Sequence, residues 1–158
     1  MRNLILQLSL FLGLLLQCCT DQSDYYTYLD HNYAVDYPNG WQVTHEIDGL
    51  KISPNDEYGV VTIANYPTTD RPVESMKGFI LSLSKTNDSS QKVKVTRVQD
   101  ATEYYYEYAD ADFKRIIKLI RKDNNFHLLK LNCRLVEWEK RKHIFFHIVD
   151  SFHFRVDR

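Results

Sequence analysis

His143 and His147 stand four residues apart in a segment of helical periodicity, the spacing at which two imidazoles on one helix face can reach a single metal ion. His153 follows six residues later, but no glutamate sits beside His143 to act as a base, and no third ligand is close by. The pair therefore reads as polar surface, and no metal or cofactor is expected. Tyr104, Tyr105, Tyr106 and Tyr108 could stack a sugar or a base. Strand alternation instead puts Tyr104, Tyr106 and Tyr108 on one face and Tyr105, with Glu103 and Glu107, on the other, which suits a triplet lying beneath a helix. Trp41, opening a strand after Pro38-Asn39-Gly40, reads as a core anchor. There is no Gly-x-Ser-x-Gly elbow and no phosphate-cradling glycine loop among only five glycines, so no catalytic residue and no enzyme activity is assigned.

The remaining chemistry is charge. Lys140-Arg141-Lys142-His143 are adjacent, so on a helix they wrap around it and cannot all face the core. A solvated helix face is the plain reading of such a run. The functional reading is docking: Lys140, Arg141 and Lys142, with Arg134 nearby, would meet acidic lipid head groups or an acidic patch on a partner. From Thr20 to Asp112 there are seven Lys/Arg against sixteen Asp/Glu, and from Phe113 to Arg158 twelve against five. The halves thus carry −9 and +7, and because they share one sheet, much of this is expected to cancel between neighbouring strands. The precursor's net charge is −1, and no nucleic-acid partner is expected.

Near the start, Met1-Arg2-Asn3 is a short basic head, and Leu4 to Leu16 is apolar apart from Gln7, Ser9 and Gly13. That run is too short for a bilayer span of roughly 20 residues and reads as a signal peptide. Leu15-Leu16-Gln17-Cys18-Cys19-Thr20-Asp21 then resembles a bacterial lipobox, with leucine three residues before a cysteine and a small residue just before it. Cys19 fits best, with Leu16 and Cys18 in those places; Cys18 is the alternative, but Gln17 would then be a poor preceding residue. Lipidation there would hold the protein on the cell envelope, at the outer membrane on its periplasmic or surface side. Several acyl chains make such an anchor stable, since one alone binds only marginally. With Cys19 lipidated and Cys18 removed, Cys133 is the only thiol left; it follows Leu129 and Leu131 at alternate positions and is expected to be buried and inert.

The expected organisation is a signal peptide over residues 1–19, a polar tether over 20–28, and one domain over 29–158, folding as a monomer. Tyr33 to Tyr37 and Trp41 to Ile47 alternate around Pro38-Asn39-Gly40 and should pair as a hairpin. Asp48-Gly49 should turn the chain into Leu50-Lys51-Ile52, and Gly59 to Tyr66 supplies a further strand. After Pro72, Val73, Met76, Phe79, Ile80 and Leu83 make a helical stripe ending near Thr86, followed by a loop over Asn87 to Ser90 and a strand over Lys92 to Val98. Thr102 to Tyr108, Phe113 to Arg121 and Phe126 to Cys133 should form a meander. In the second of these, Ile116 and Ile120 point one way while Ile117 and Leu119 point the other, as in a central strand covered on both faces. A last helix from Arg134 to Phe152, with Leu135, Trp138, Phe145, Ile148 and Phe152 near one stripe, should supply the second cover.

With Tyr33-Ala-Val-Asp-Tyr-Pro-Asn-Gly-Trp41, the helix after Pro72 and the closing helix ending Asp150-Ser151-Phe152, the chain resembles the PsbP family, whose fold is shared with a Ran-binding nuclear import factor. The resemblance spans nearly the whole mature chain. It implies an α+β fold, an antiparallel β-sheet sandwiched between α-helices, and a role in accessory binding to a larger assembly. Photosynthesis is not carried over, because fold alone does not transfer function. The leading expectation is thus a non-catalytic, lipid-anchored envelope protein that docks onto an envelope protein of unknown identity. The alternative is a small-ligand carrier or hydrolytic enzyme with a pocket between sheet and helix.

Overall fold

The computed structural model describes residues 25–67, 73–84, 93–98, 100–123 and 125–155. The elements in chain order are β1 (Tyr25–Leu29), β2 (Tyr33–Pro38), β3 (Gln42–Glu46), β4 (Gly49–Ser53), β5 (Gly59–Pro67), α1 (Val73–Ser84), β6 (Lys94–Val98), β7 (Ala101–Ala109), β8 (Phe113–Lys122), β9 (Asn125–Arg134), α2 (Leu135–Ser151) and β10 (His153–Phe154). A seven-stranded sheet has the order β3-β4-β5-β9-β8-β7-β6, and a three-stranded sheet has the order β1-β2-β10. All the ladders are antiparallel. The signal peptide, Cys18, Cys19, Thr20 to Asp24, Arg71-Pro72 and the Asn87 to Ser90 loop lie outside the described residues.

The β7-β8-β9 meander is present with nearly the expected bounds, and it explains both cores. Ile116, Ile120, Leu129 and Leu131 join Leu50, Ile52, Val61 and Ile63 against Phe145, Ile148 and Val149 of α2. The alternate residues Ile117, Leu119 and Leu128 join Tyr104, Tyr106 and Tyr108 against Met76 and Ile80 of α1. Because side chains alternate across a strand, the helices lie on opposite faces of the sheet, which is the expected α+β sandwich. The tyrosine triplet is accordingly core, with Tyr104 and Tyr106 almost fully buried.

Five positions in a row, Ile116 to Ile120, are buried, and the one charge among them, Lys118, reaches Glu103 of β7 at 3.3 Å. Lys114–Glu107 at 2.5 Å, Lys122–Asp100 at 3.1 Å and Arg115–Asp110 at 2.6 Å join the same two strands or their turns. Part of the opposed charge of the two halves is thus neutralised between β7 and β8.

The structure corrects the start of the domain. The expected hairpin around Pro38-Asn39-Gly40 does not form: β2 pairs with β1 and β10, while β3 pairs with β4. Trp41 N–H donates to Pro38 O at 3.2 Å and Gly40 has φ 82°, so a turn is made there, but it carries the chain from one sheet to the other. The reason is burial: Tyr33, Ala34 and Val35 are buried in succession, which a half-exposed hairpin arm cannot offer, whereas β3 is mostly exposed. Tyr25 to Tyr28, expected in the tether, belong to β1. Trp41 and Trp138 pack at the margin of the α2-side core rather than inside it. Leu135, expected on the buried stripe of α2, is exposed: it is the first residue of the helix, where the chain has just left the end of β9.

Two close approaches fix α2. A Cβ on Gly59 would lie 2.3 Å from Phe145 Cζ, so the ring occupies space that only glycine leaves free. At the far end, Ser151 Oγ accepts the Asp36 N–H at 2.9 Å and donates to Ile148 O at 2.9 Å, tying the helix to β2.

Candidate functional site

The residues expected to dock gather around the start of α2, and the loop between β4 and β5 organises them. Arg134 N–H donates to Tyr58 O at 3.0 Å and Leu135 N–H to Asp112 O at 2.9 Å, which together set the first turn of the helix. The loop turns at Glu57, whose φ is 59°, and Asp56 Oδ1 accepts the Tyr58 N–H at 3.2 Å. These contacts bring the Tyr58 ring close to two guanidiniums, 5.7 Å from Arg134 and 5.8 Å from Arg141. Both distances are within the range of cation–π attraction.

Arg141 holds the loop to the helix. Its Nη1 and Nη2 donate to the two oxygens of Asp56 at 3.0 and 2.5 Å, and its Nε donates to Glu137 Oε2 at 3.3 Å. A guanidinium fork on a carboxylate fixes geometry as well as charge. The bond from Arg141 holds the Asp56 carboxyl below its ordinary range, and Asp56 in turn raises Arg141. The pair keeps its charge throughout the neutral range.

Of the other expected cations, Lys140 donates to Glu137 at 3.2 Å and Lys142 to Glu139 at 2.6 Å. Asp56, Glu137 and Glu139 therefore answer three of these four cations, and Arg134 is the one of the four with no carboxylate partner among the described residues. The patch is amphiphilic rather than basic: Tyr58 and Leu135 are each 38% exposed and Val136 is 75% exposed. Tyr58, Asp56 and Val136 were not legible as site residues. Asp56 and Tyr58 sit in an aperiodic loop, and Val136 looks like an ordinary helical apolar residue.

The other residues with chemistry go elsewhere. His147, on α2, lies 3.7 Å from Asp36 and its ring is 4.0 Å from that of Tyr25, while His153, in β10, places its Nδ1 2.8 Å from Ser151 O, so these two histidines have separate neighbours. Among the described residues no cluster of three metal-ligating side chains occurs. Cys133 is buried, its Sγ donates to Arg134 O at 3.5 Å, and burial pushes the thiol up to about 11, far from a reactive thiolate.

No family model matches the chain, and no curated protein matches it by sequence. Solved structures do match. The solution structure of cyanobacterial PsbP from Synechocystis superposes with a TM-score of 0.66 at 14% identity, covering 87% of this chain and 97% of that one. The chain has the PsbP-like fold. A crystal structure from Bacteroides thetaiotaomicron gives a TM-score of 0.56 at 10% identity over 87% of this chain; the PsbP-like chain spans about half, 50%, of that protein's length. At such identities it is the fold that is shared, and the Tyr58 patch is described from this chain's own residues.

Proposed function

We propose that the mature protein is lipid-anchored through Cys19 to a bacterial cell envelope and serves as a non-catalytic accessory protein, docking onto a larger protein assembly through the face around Tyr58. The observation that carries this is the Tyr58 ring within cation–π range of both Arg134 and Arg141, with Val136 exposed in the first turn of α2. Tyrosine and arginine set in a rigid frame, ringed by apolar area, make the composition of interface hot spots. The frame is already formed, so little ordering cost is incurred on binding. The lipobox-like Leu16-Gln17-Cys18-Cys19 supports the anchor and the envelope location. The PsbP-like fold supports an accessory role.

A protein partner is favoured over an anionic bilayer as the surface met by this face. Each unpaired basic residue near an anionic membrane contributes about 1 kcal/mol, and here three of four cations already face carboxylates. The test is affinity capture of the lipidated protein from gently solubilised envelopes, comparing the parent with Tyr58→Ala and Val136→Glu. The same membrane protein should co-purify with the parent and be lost in both variants. Equal recovery with all three would remove this face from the interaction.

A further inference from the structure

A cleft of about 490 Å³ opens between the end of α1 and strands β7 to β9, on the face of the sheet opposite α2. Its apolar walls include Leu83, Tyr108 and Phe113, and its polar groups are Arg115, Lys130 and Asn132. Register explains why these meet. Arg115 of β8 stands directly opposite Asn132 of β9, and Lys130 stands opposite Ile117, one step along the same face. Arg115 is already engaged by Asp110 at 2.6 Å and lies over Tyr108 and Phe113 at 5.8 and 5.5 Å.

Lys130 differs from the other cations of the sheet. Lys114, Lys118 and Lys122 each have a carboxylate across the strand on the opposite face. Among the described residues Lys130 has no ion-pair partner, although it is only partly exposed, and no carboxylate lines this cleft. Its other cross-strand neighbour, Thr62 of β5, lines a second cleft of about 560 Å³ that Lys130 also borders. That second cleft carries Glu46 and Asp48, whereas no carboxylate is among the described residues lining the first. A partly exposed lysine with no counter-charge among the described residues, beside an arginine and an amide and between apolar walls, is complementary to one class of molecule.

We propose that this cleft binds a small amphipathic anion, its acidic head meeting Lys130, Asn132 and Arg115 and its apolar body lying against Leu83, Tyr108 and Phe113. The volume is in the range of ligand sites, roughly 300 to 1,000 Å³. The docking face at the start of α2 contributes none of these residues, so the ligand site and the docking reading stand or fall separately.

The test uses the mature chain with Cys19→Ser, so that it carries no lipid, titrated with 1-anilinonaphthalene-8-sulfonate and with its neutral analogue 1-N-phenylnaphthylamine. The parent should bind the sulfonate at one saturable site and the neutral analogue at least tenfold more weakly. Lys130→Gln should weaken the sulfonate about tenfold and leave the neutral analogue unchanged, while Lys94→Gln, on the edge strand β6 and outside the cleft, should bind as the parent does. Should Lys130→Gln fail to fold by circular dichroism, the parent alone decides: sulfonate affinity should fall severalfold between low and high salt, and that of the neutral analogue should not. Equal binding of the two probes, unchanged sulfonate affinity in Lys130→Gln, or the absence of a saturable site would overturn the proposal.

Discussion

Arg141 of α2 and Asp56 of the β4–β5 loop, 85 residues apart in sequence, form a two-pronged ion pair that fixes the loop carrying Tyr58 to the helix that begins just after Arg134. Both side chains are partly exposed, so the pair matters more for placement than for stability. Arg141→Lys should lower stability by no more than about 1 kcal/mol, since an ammonium keeps the charge but loses the fork. It should nevertheless weaken partner capture markedly, because Tyr58 loses one of its two guanidiniums. A co-purification yield that stays at the parent level would show that the fork does not position the face.

Phe145 and Gly59 test the packing of α2. Gly59→Ala puts a methyl where the Phe145 ring lies and should cost about 1 to 3 kcal/mol by overpacking. Combined with Phe145→Leu, the alanine should cost less than it does alone. Chemical denaturation of the four proteins measures this, and strict additivity would mean the ring is not the obstacle.

Trp138 gives a graded expectation. Full burial would make Trp138→Ala cost about 3 to 5 kcal/mol. The side chain is only partly buried, with one edge against Phe146 at 5.6 Å and Lys114 at 5.8 Å. The expected loss is therefore about 1 to 2 kcal/mol, clearly less than for Phe145→Ala, which empties a fully buried site. Urea midpoints of the two variants should differ in that order.

His127 should make the domain acid-sensitive. It is 1% exposed, its Nδ1 has no hydrogen-bond partner among the described residues, and its ring lies 5.1 to 5.5 Å from those of Tyr33, Phe152 and Phe154. Burial holds its pKa below the ordinary value of 6.5, with the charge of Asp30 opposing this in part. Between the lowered and the ordinary value the unfolded chain binds more protons than the folded one. Stability is then fully present above about pH 6.5 and falls as pH drops through the window below it. His127→Phe should flatten the change in urea midpoint between pH 7 and pH 5 relative to the parent. An identical slope in both would remove His127 as the cause.

Mass spectrometry of the mature N-terminal peptide should find acyl chains on Cys19 and no Cys18, as Leu16 and Cys18 make the better recognition positions. Acylated Cys18 followed by Cys19 would move the cleavage by one residue.

Sequence reasoning worked where periodicity was strong and contacts were local in kind. The alternation through Tyr104 to Tyr108 and Ile116 to Ile120 already separates the two cores, and the structure keeps that separation. It failed at β2, because Pro38-Asn39-Gly40 signals a turn but cannot say whether the strands it joins share a sheet. The partners of β2 are residues 25–29 and 153–154, and the latter contact is set by tertiary closure of the chain. The docking face was half legible: Lys140, Arg141 and Lys142 stood out as a charge run with Arg134 nearby, whereas Asp56, the carboxylate that takes the Arg141 fork, and the ring of Tyr58 come from a loop more than 80 residues earlier. That one distant carboxylate, added to the local Glu137 and Glu139, leaves the basic cluster a nearly neutral, amphiphilic patch.

The most direct test of docking is site-specific photo-crosslinking of the lipidated protein in intact cells. A photoreactive residue replaces Val136, at the centre of the proposed face, or Ile47, which is fully exposed on the β3–β4 turn. Position 136 should give a discrete adduct with one envelope protein, position 47 should not, and Tyr58→Ala should abolish the adduct. No adduct from position 136, or the same adducts from both positions, would contradict docking through this face.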